Sequence, residues 1–133
     1  MVKKKGFTLI ELTVVISIIA IISLISVPNY IKHINYARRE EAINLGRQIN
    51  LEVIDFEYNE NEQNNNYRKI ENYIKENLGI EVICKYAKDE EGEGLISVLY
   101  KSNDSDFECV MNVKKNNYEI FNGNKVLLYK SFK

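Results

Sequence analysis

Glu11 is the residue whose chemistry is hardest to explain as packing. It is the sole charged residue between Phe7 and Val27, a stretch otherwise built from apolar residues, Ser and Thr. A carboxylate in such a run costs several kcal/mol unless it is paired, so it reads as functional. Three other groups could carry chemistry. Cys84 and Cys109 could form a disulfide or remain buried thiols. Asp89, Glu90, Glu91 and Glu93, set around Gly92 and Gly94, could form a calcium-binding turn or a solvated one; they lack the alternating ligands of an EF-hand loop. His33 is the one histidine and has no cysteine beside it, so it reads as a solvated helix residue. No Ser/His/Asp set, phosphate-binding glycine loop or paired catalytic acids can be picked out. The expectation is a protein that is not an enzyme, with no cofactor and no metal.

The elements that must position Glu11 begin with its own run. Phe7 to Val27 is 21 residues, roughly 31 Å as a helix, about the thickness of a bilayer core. Lys3, Lys4 and Lys5 precede it. A cleaved secretory signal would be shorter and end in small residues; this run ends SLISVPNY. A single membrane anchor with its lysines on the cytoplasmic side fits better. The full chain has 18 basic and 19 acidic residues, a formal charge of −1. No basic field recommends nucleic acid as a partner, and no direct nucleic-acid site is identified.

After Pro28 the pattern turns amphipathic. Ile31, Ile34, Ala42, Leu45, Ile49, Val53 and Phe56 recur at helical spacing. Lys32, Arg38, Arg39, Glu40, Arg47 and Glu52 form a face that is solvated or intersubunit. One helix of about fifty residues, starting near Phe7, is therefore predicted. Pro28 removes a backbone donor, which makes Ser23–Pro28 its weak point. NENEQNNN, residues 59–66, is a breaker. Residues 67–79 read as a short helix with Ile70, Tyr73, Ile74 and Leu78 on one face and Gly79 as its stop. Alternating runs then predict four or five antiparallel strands. Ile80, Val82, Cys84 and Tyr86 share a face of the first; Phe107, Cys109, Met111 and Val113 share a face of the third. Cysteines on the first and third strands would be over ~9 Å apart, too far for a disulfide, so free thiols are the favoured of the two readings. Tyr30 and Tyr36 are read as packing residues. The fold class is α+β: a long helix, half apolar and half amphipathic, packed on an antiparallel meander.

The decapeptide Lys3-Lys4-Lys5-Gly6-Phe7-Thr8-Leu9-Ile10-Glu11-Leu12 closely resembles the prepilin signature of the type IV pilin and pseudopilin family. The resemblance implies that a prepilin peptidase cuts between Gly6 and Phe7 and that the new Phe7 amine is methylated. Glycine lets the backbone lie flat in a protease cleft. In a bundle of such helices, Glu11 of one subunit can pair with the Phe7 amine of its neighbour, lowering the cost of both charges and setting register. Similar pilins carry a proline where Pro28 stands. Residues 1–6 would then be a leader, 7–28 the membrane-spanning and filament-core helix, and 29–133 the globular domain. The implied partners are copies of the chain and other pilins, the peptidase/N-methyltransferase, an assembly platform, its ATPase and the membrane. The implied product is a subunit of a type IV pilus or pilus-like filament. It would begin as a single-pass inner-membrane protein with its domain outside the cytoplasm, and end in an extracellular pilus or a periplasmic or cell-wall pseudopilus. A pseudopilin of a type II secretion or DNA-uptake system is the alternative, as is an anchored binding module that does not polymerise.

Overall fold

The computed structural model describes residues 6–60 and 66–132. Two helices and five strands occur in chain order: α1 (Leu9–Glu60), α2 (Tyr67–Leu78), β1 (Ile83–Lys88), β2 (Gly94–Ser102), β3 (Ser105–Asn112), β4 (Asn117–Asn122) and β5 (Leu127–Lys130). The expected α+β class and the upper strand count are what the chain adopts. Lys3, Lys4 and Lys5 lie outside the described residues, as do residues 61–65 of the expected breaker. The chain divides into two compact units, Met1–Ala37 and Arg38–Lys133.

In the first unit, α1 begins at Leu9 and continues through Pro28 without interruption. Proline has no N–H to give the Leu24 carbonyl, so one rung of the helical ladder is missing there. Tyr30 and Tyr36, expected to pack, are exposed. Ile31 is 52% exposed.

In the second unit, the five strands form one sheet in the order β1-β2-β3-β4-β5, each pair antiparallel. Short-range chemistry sets the turns. Asn103 and Asp104 both have positive φ, at 50° and 61°, the conformation of a two-residue type I′ hairpin loop that matches strand twist. Gly79 is left-handed at φ 69°, and its N–H closes α2 on the Lys75 carbonyl at 2.9 Å. That stop also delays β1. The chain leaves α2 through Ile80–Val82, so the strand starts at Ile83 rather than at the expected Ile80.

One row across the sheet runs Cys84, Val98, Cys109, Ile120 and Tyr129. It is covered by Ile43, Ile49, Val53 and Phe56 of α1 and by Ile70 and Ile74 of α2. Each fully buried aliphatic side chain contributes roughly 1.5–3 kcal/mol. The buried stripe of α1 starts at Ala42; the expected stripe started eleven residues earlier, at Ile31. Gly46 marks the tightest approach of helix to sheet. A Cβ there would lie 2.6 Å from Ile120 Cδ1 and 2.7 Å from the Tyr100 hydroxyl. Tyr86 shares the face of Cys84, as expected, but lies at its margin and is 47% exposed.

Both edges of this open sheet are partly blocked by helix side chains. Glu71 of α2 accepts the Cys84 N–H at 2.9 Å on β1. Arg39 of α1 donates to the Leu128 carbonyl at 3.0 Å on β5. Occupied edge groups cannot template another strand. Arg47 lies 4.7 Å over the Tyr129 ring. Arg39 and Arg47, expected on a face that is solvated or intersubunit, thus clamp β5.

Candidate processing and assembly site

The site is built on the first turn of α1. Thr8 is the cap. The Thr8 N–H donates to Glu11 Oε2 at 3.2 Å, and the Glu11 N–H donates to Thr8 Oγ1 at 3.2 Å. This is a capping box, which satisfies two donors that a helix start leaves open. It explains why the helix begins two residues after Phe7. It also turns the Glu11 carboxylate back toward Phe7, where it complements the positive end of the helix dipole. The signal was present as Thr-x-x-Glu, but the apolar setting directed the sequence reading to an intermolecular partner alone.

Phe7 is 83% exposed. At Gly6 nothing lies within 4 Å of where a Cβ would stand. The fold itself therefore does not demand glycine there. From Leu9 to Val27 the large apolar side chains are exposed, and α1 is long and apolar enough to cross a membrane. Three of its hydroxyls donate within the helix: Thr13 to the Leu9 carbonyl, Ser17 to that of Thr13 and Ser23 to that of Ile19, each at 2.7 Å. Glu11 is the one charged side chain on this stretch, and it keeps capacity for an outside partner, since each carboxylate oxygen accepts more than one hydrogen bond.

The other candidate residues are not brought to this site. His33 is exposed on α1. Cys84 and Cys109 are buried, free and separated by Val98 in the same row. Burial pushes each thiol up to about 12, with Glu71 adding to the effect at Cys84 and Glu108 at Cys109. They are therefore inert as nucleophiles at neutral pH. Asp89, Glu91 and Glu93 do converge, with carboxylate oxygens within 4.8 Å of one another. Lys115 supplies the cation: its ammonium stands 2.8 Å from Glu93 and 3.3 Å from Glu91. That hydrogen bond holds the Glu93 carboxyl below its usual range. Glu90 is not part of the cluster.

Sequence reasoning missed Gly46 and Tyr100. The Tyr100 hydroxyl donates to the Ala42 carbonyl at 2.7 Å, and the Cys109 thiol approaches the Gly46 carbonyl at 3.7 Å. A glycine inside an otherwise helical run was the available clue.

Residues 1–27 match a family model described as the prokaryotic N-terminal methylation motif. No curated protein and no solved structure matches the chain. The matched segment holds Gly6, Phe7, the Thr8–Glu11 box and the exposed apolar stretch of α1, and over those residues the chain carries the methylation motif characteristic of type IV prepilins.

Proposed function

We propose that the chain is the precursor of a structural subunit of a type IV pilus or related pilus-like filament, not an enzyme. The observation that carries the reading is an apolar helical stretch, exposed from Leu9 to Val27, that opens on a capping carboxylate within a methylation motif. Lys3–Lys5 hold the leader, residues 1–6, at the cytoplasmic face. A prepilin peptidase hydrolyses the Gly6–Phe7 bond, and the Phe7 amine is then methylated. Because the fold does not require glycine at position 6, the demand for it comes from the protease cleft.

Cleavage places a cation at the helix start, where the dipole disfavours it. Glu11 offsets that cost. Its carboxylate already accepts the Thr8 N–H, and its remaining lone pairs pair with the Phe7 amine of an adjacent subunit as helices 7–28 pack in the filament core. Uncut precursor lacks that amine and is kept out. Residues 29–133 remain outside the membrane. Platform and ATPase proteins drive the transfer from bilayer to filament.

Mass spectrometry of the protein recovered from sheared surface material or membranes tests this. The expected mature chain starts at a methylated Phe7, and electron microscopy shows it in filaments. A chain that still starts at Met1, or is cut beyond Ser26, overturns the proposal.

A further inference from the structure

A groove of about 780 Å³ lies within the second unit. One wall is α2 with residues 81–83, the floor is the end of β2, and the other wall is the start of β3 with the β4–β5 turn. Its volume falls within the roughly 300–1,000 Å³ typical of small-molecule sites. Nothing in the processing and assembly reading uses it.

Each of its lysines is paired in place, and one carboxylate more than the lysines leaves its formal side-chain charge at −1. Three lysines and four carboxylates line it. Lys75 pairs with Glu81 at 2.7 Å, Lys101 with Asp106 at 3.9 Å, and Lys125 with Glu108. The fourth carboxylate, Glu71, is engaged by the Cys84 N–H. An ionic ligand would have to break one of these pairs and would meet an opposing charge beside each attracting one. A neutral ligand with many hydroxyls meets both donors and acceptors without displacing any pair.

The backbone adds two more polar groups. β1 begins at Ile83, opposite Leu99, while β2 continues to Ser102. By the alternation of an antiparallel ladder, the Lys101 N–H and C=O point to the side that β1 has vacated. Between these polar groups lies apolar surface: Ile83 is 57% exposed, and Leu99 and Phe107 are half-buried. Apolar floor, paired lysines and dense donors and acceptors match a molecule with one C–H face and a rim of hydroxyls.

We propose that this groove binds a neutral oligosaccharide. Ile83 and Leu99 contact its C–H face, and Lys101, Asp106 and Asn72 bond its hydroxyls. Single-site affinity is weak, because each hydroxyl exchanges water for an equivalent partner. Many copies along a filament would convert weak sites into firm attachment. That last step rests on the filament reading; binding by one subunit does not.

The test uses the full-length chain, uncleaved and monomeric in lipid nanodiscs, so it stands apart from filament assembly. Saturation-transfer NMR is run with three neutral probes (chitotriose, cellotriose and lacto-N-tetraose), the cationic chitosan trimer, the anionic hyaluronan tetrasaccharide and a blocked neutral Ser-Thr-Ser peptide. Expected is saturation of at least one neutral saccharide at millimolar concentration, and none of the other probes. Ile83→Asp, at an exposed position, should weaken it by at least about fivefold with an unchanged melting midpoint. Lys101→Glu should unbalance the groove and bring in the chitosan trimer, a gain that simple loss of structure would not produce. Silence from all three neutral saccharides overturns the proposal. So does stronger binding of a charged probe or the peptide, or an Ile83→Asp variant that binds as the parent does.

Discussion

The Tyr100 hydroxyl reaches across from β2 to the Ala42 carbonyl of α1 at 2.7 Å, one helical turn before Gly46. Both contacts fix how closely and at what rotation the helix lies on the sheet. Tyr100→Phe should cost about 1 kcal/mol, the usual worth of a buried hydrogen bond. Gly46→Ala gains up to about 1 kcal/mol of helix propensity, yet its Cβ forces Ile120 and Tyr100 to move, at about 1–3 kcal/mol. Chemical denaturation should therefore show a net loss for Gly46→Ala and a larger one for Gly46→Val. A stabilised Gly46→Ala protein would mean the approach is looser than described.

Glu11→Val removes the carboxylate that serves both the Thr8 N–H and the proposed intermolecular partner. Cleavage should proceed, since Gly6 and Phe7 are intact. Filament yield should collapse when the variant is the sole subunit. Glu11→Gln retains an acceptor for Thr8 but not the charge, so it should keep the first helical turn and still assemble poorly. Abundant filaments from Glu11→Gln would show that capping, not charge pairing, is the function of this residue.

Acid should loosen the outer face of the sheet at Glu108. Its side chain is 15% exposed, and it accepts from both the Ser97 hydroxyl and the Lys125 ammonium. Burial alone would push its carboxyl up, but the two bonds outweigh that and hold it below its ordinary 4.5. Folding is thus favoured by the ionised form. That stabilisation is fully present above the unfolded-state value and is lost as pH falls through the lower folded-state one. The melting temperature of the parent should drop more steeply below pH 4.5 than that of Glu108→Gln. Parallel curves would remove Glu108 from the acid response.

Cys84 and Cys109 should resist alkylation by iodoacetamide at pH 8 in the folded chain and react together in denaturant. Mild oxidation should leave both as thiols, because Val98 stands between them. A disulfide formed in the native state would require a register different from the one described.

What could be read in advance follows from range. The helix and strand periods are local, and turns at Asn103–Asp104 and Gly79 announce themselves by residue type. The proposed processing residues are legible because the peptidase of that proposal reads a contiguous peptide. Gly46 is different: its value depends on Ile120 and Tyr100, which arrive from strands far along the chain. The groove is likewise invisible in the sequence, since α2, β2, β3 and the β4–β5 turn each supply only a few of its residues. Arg39 and Arg47 were assigned to a solvated or intersubunit face because helix periodicity says which face is charged, not which strand will lie against it.

The bond from Arg39 to the Leu128 carbonyl spans 89 positions. α1 is synthesised before the sheet, and the strand that Arg39 and Arg47 hold is made after the other four. Until β5 emerges, the stripe from Ile43 to Phe56 lacks the finished sheet that covers it. Closure over so long a loop is slow compared with local helix formation. The newborn chain therefore passes through an interval in which an apolar helix face is complete and its cover is not, and the time spent there is set by the rate at which β5 is delivered.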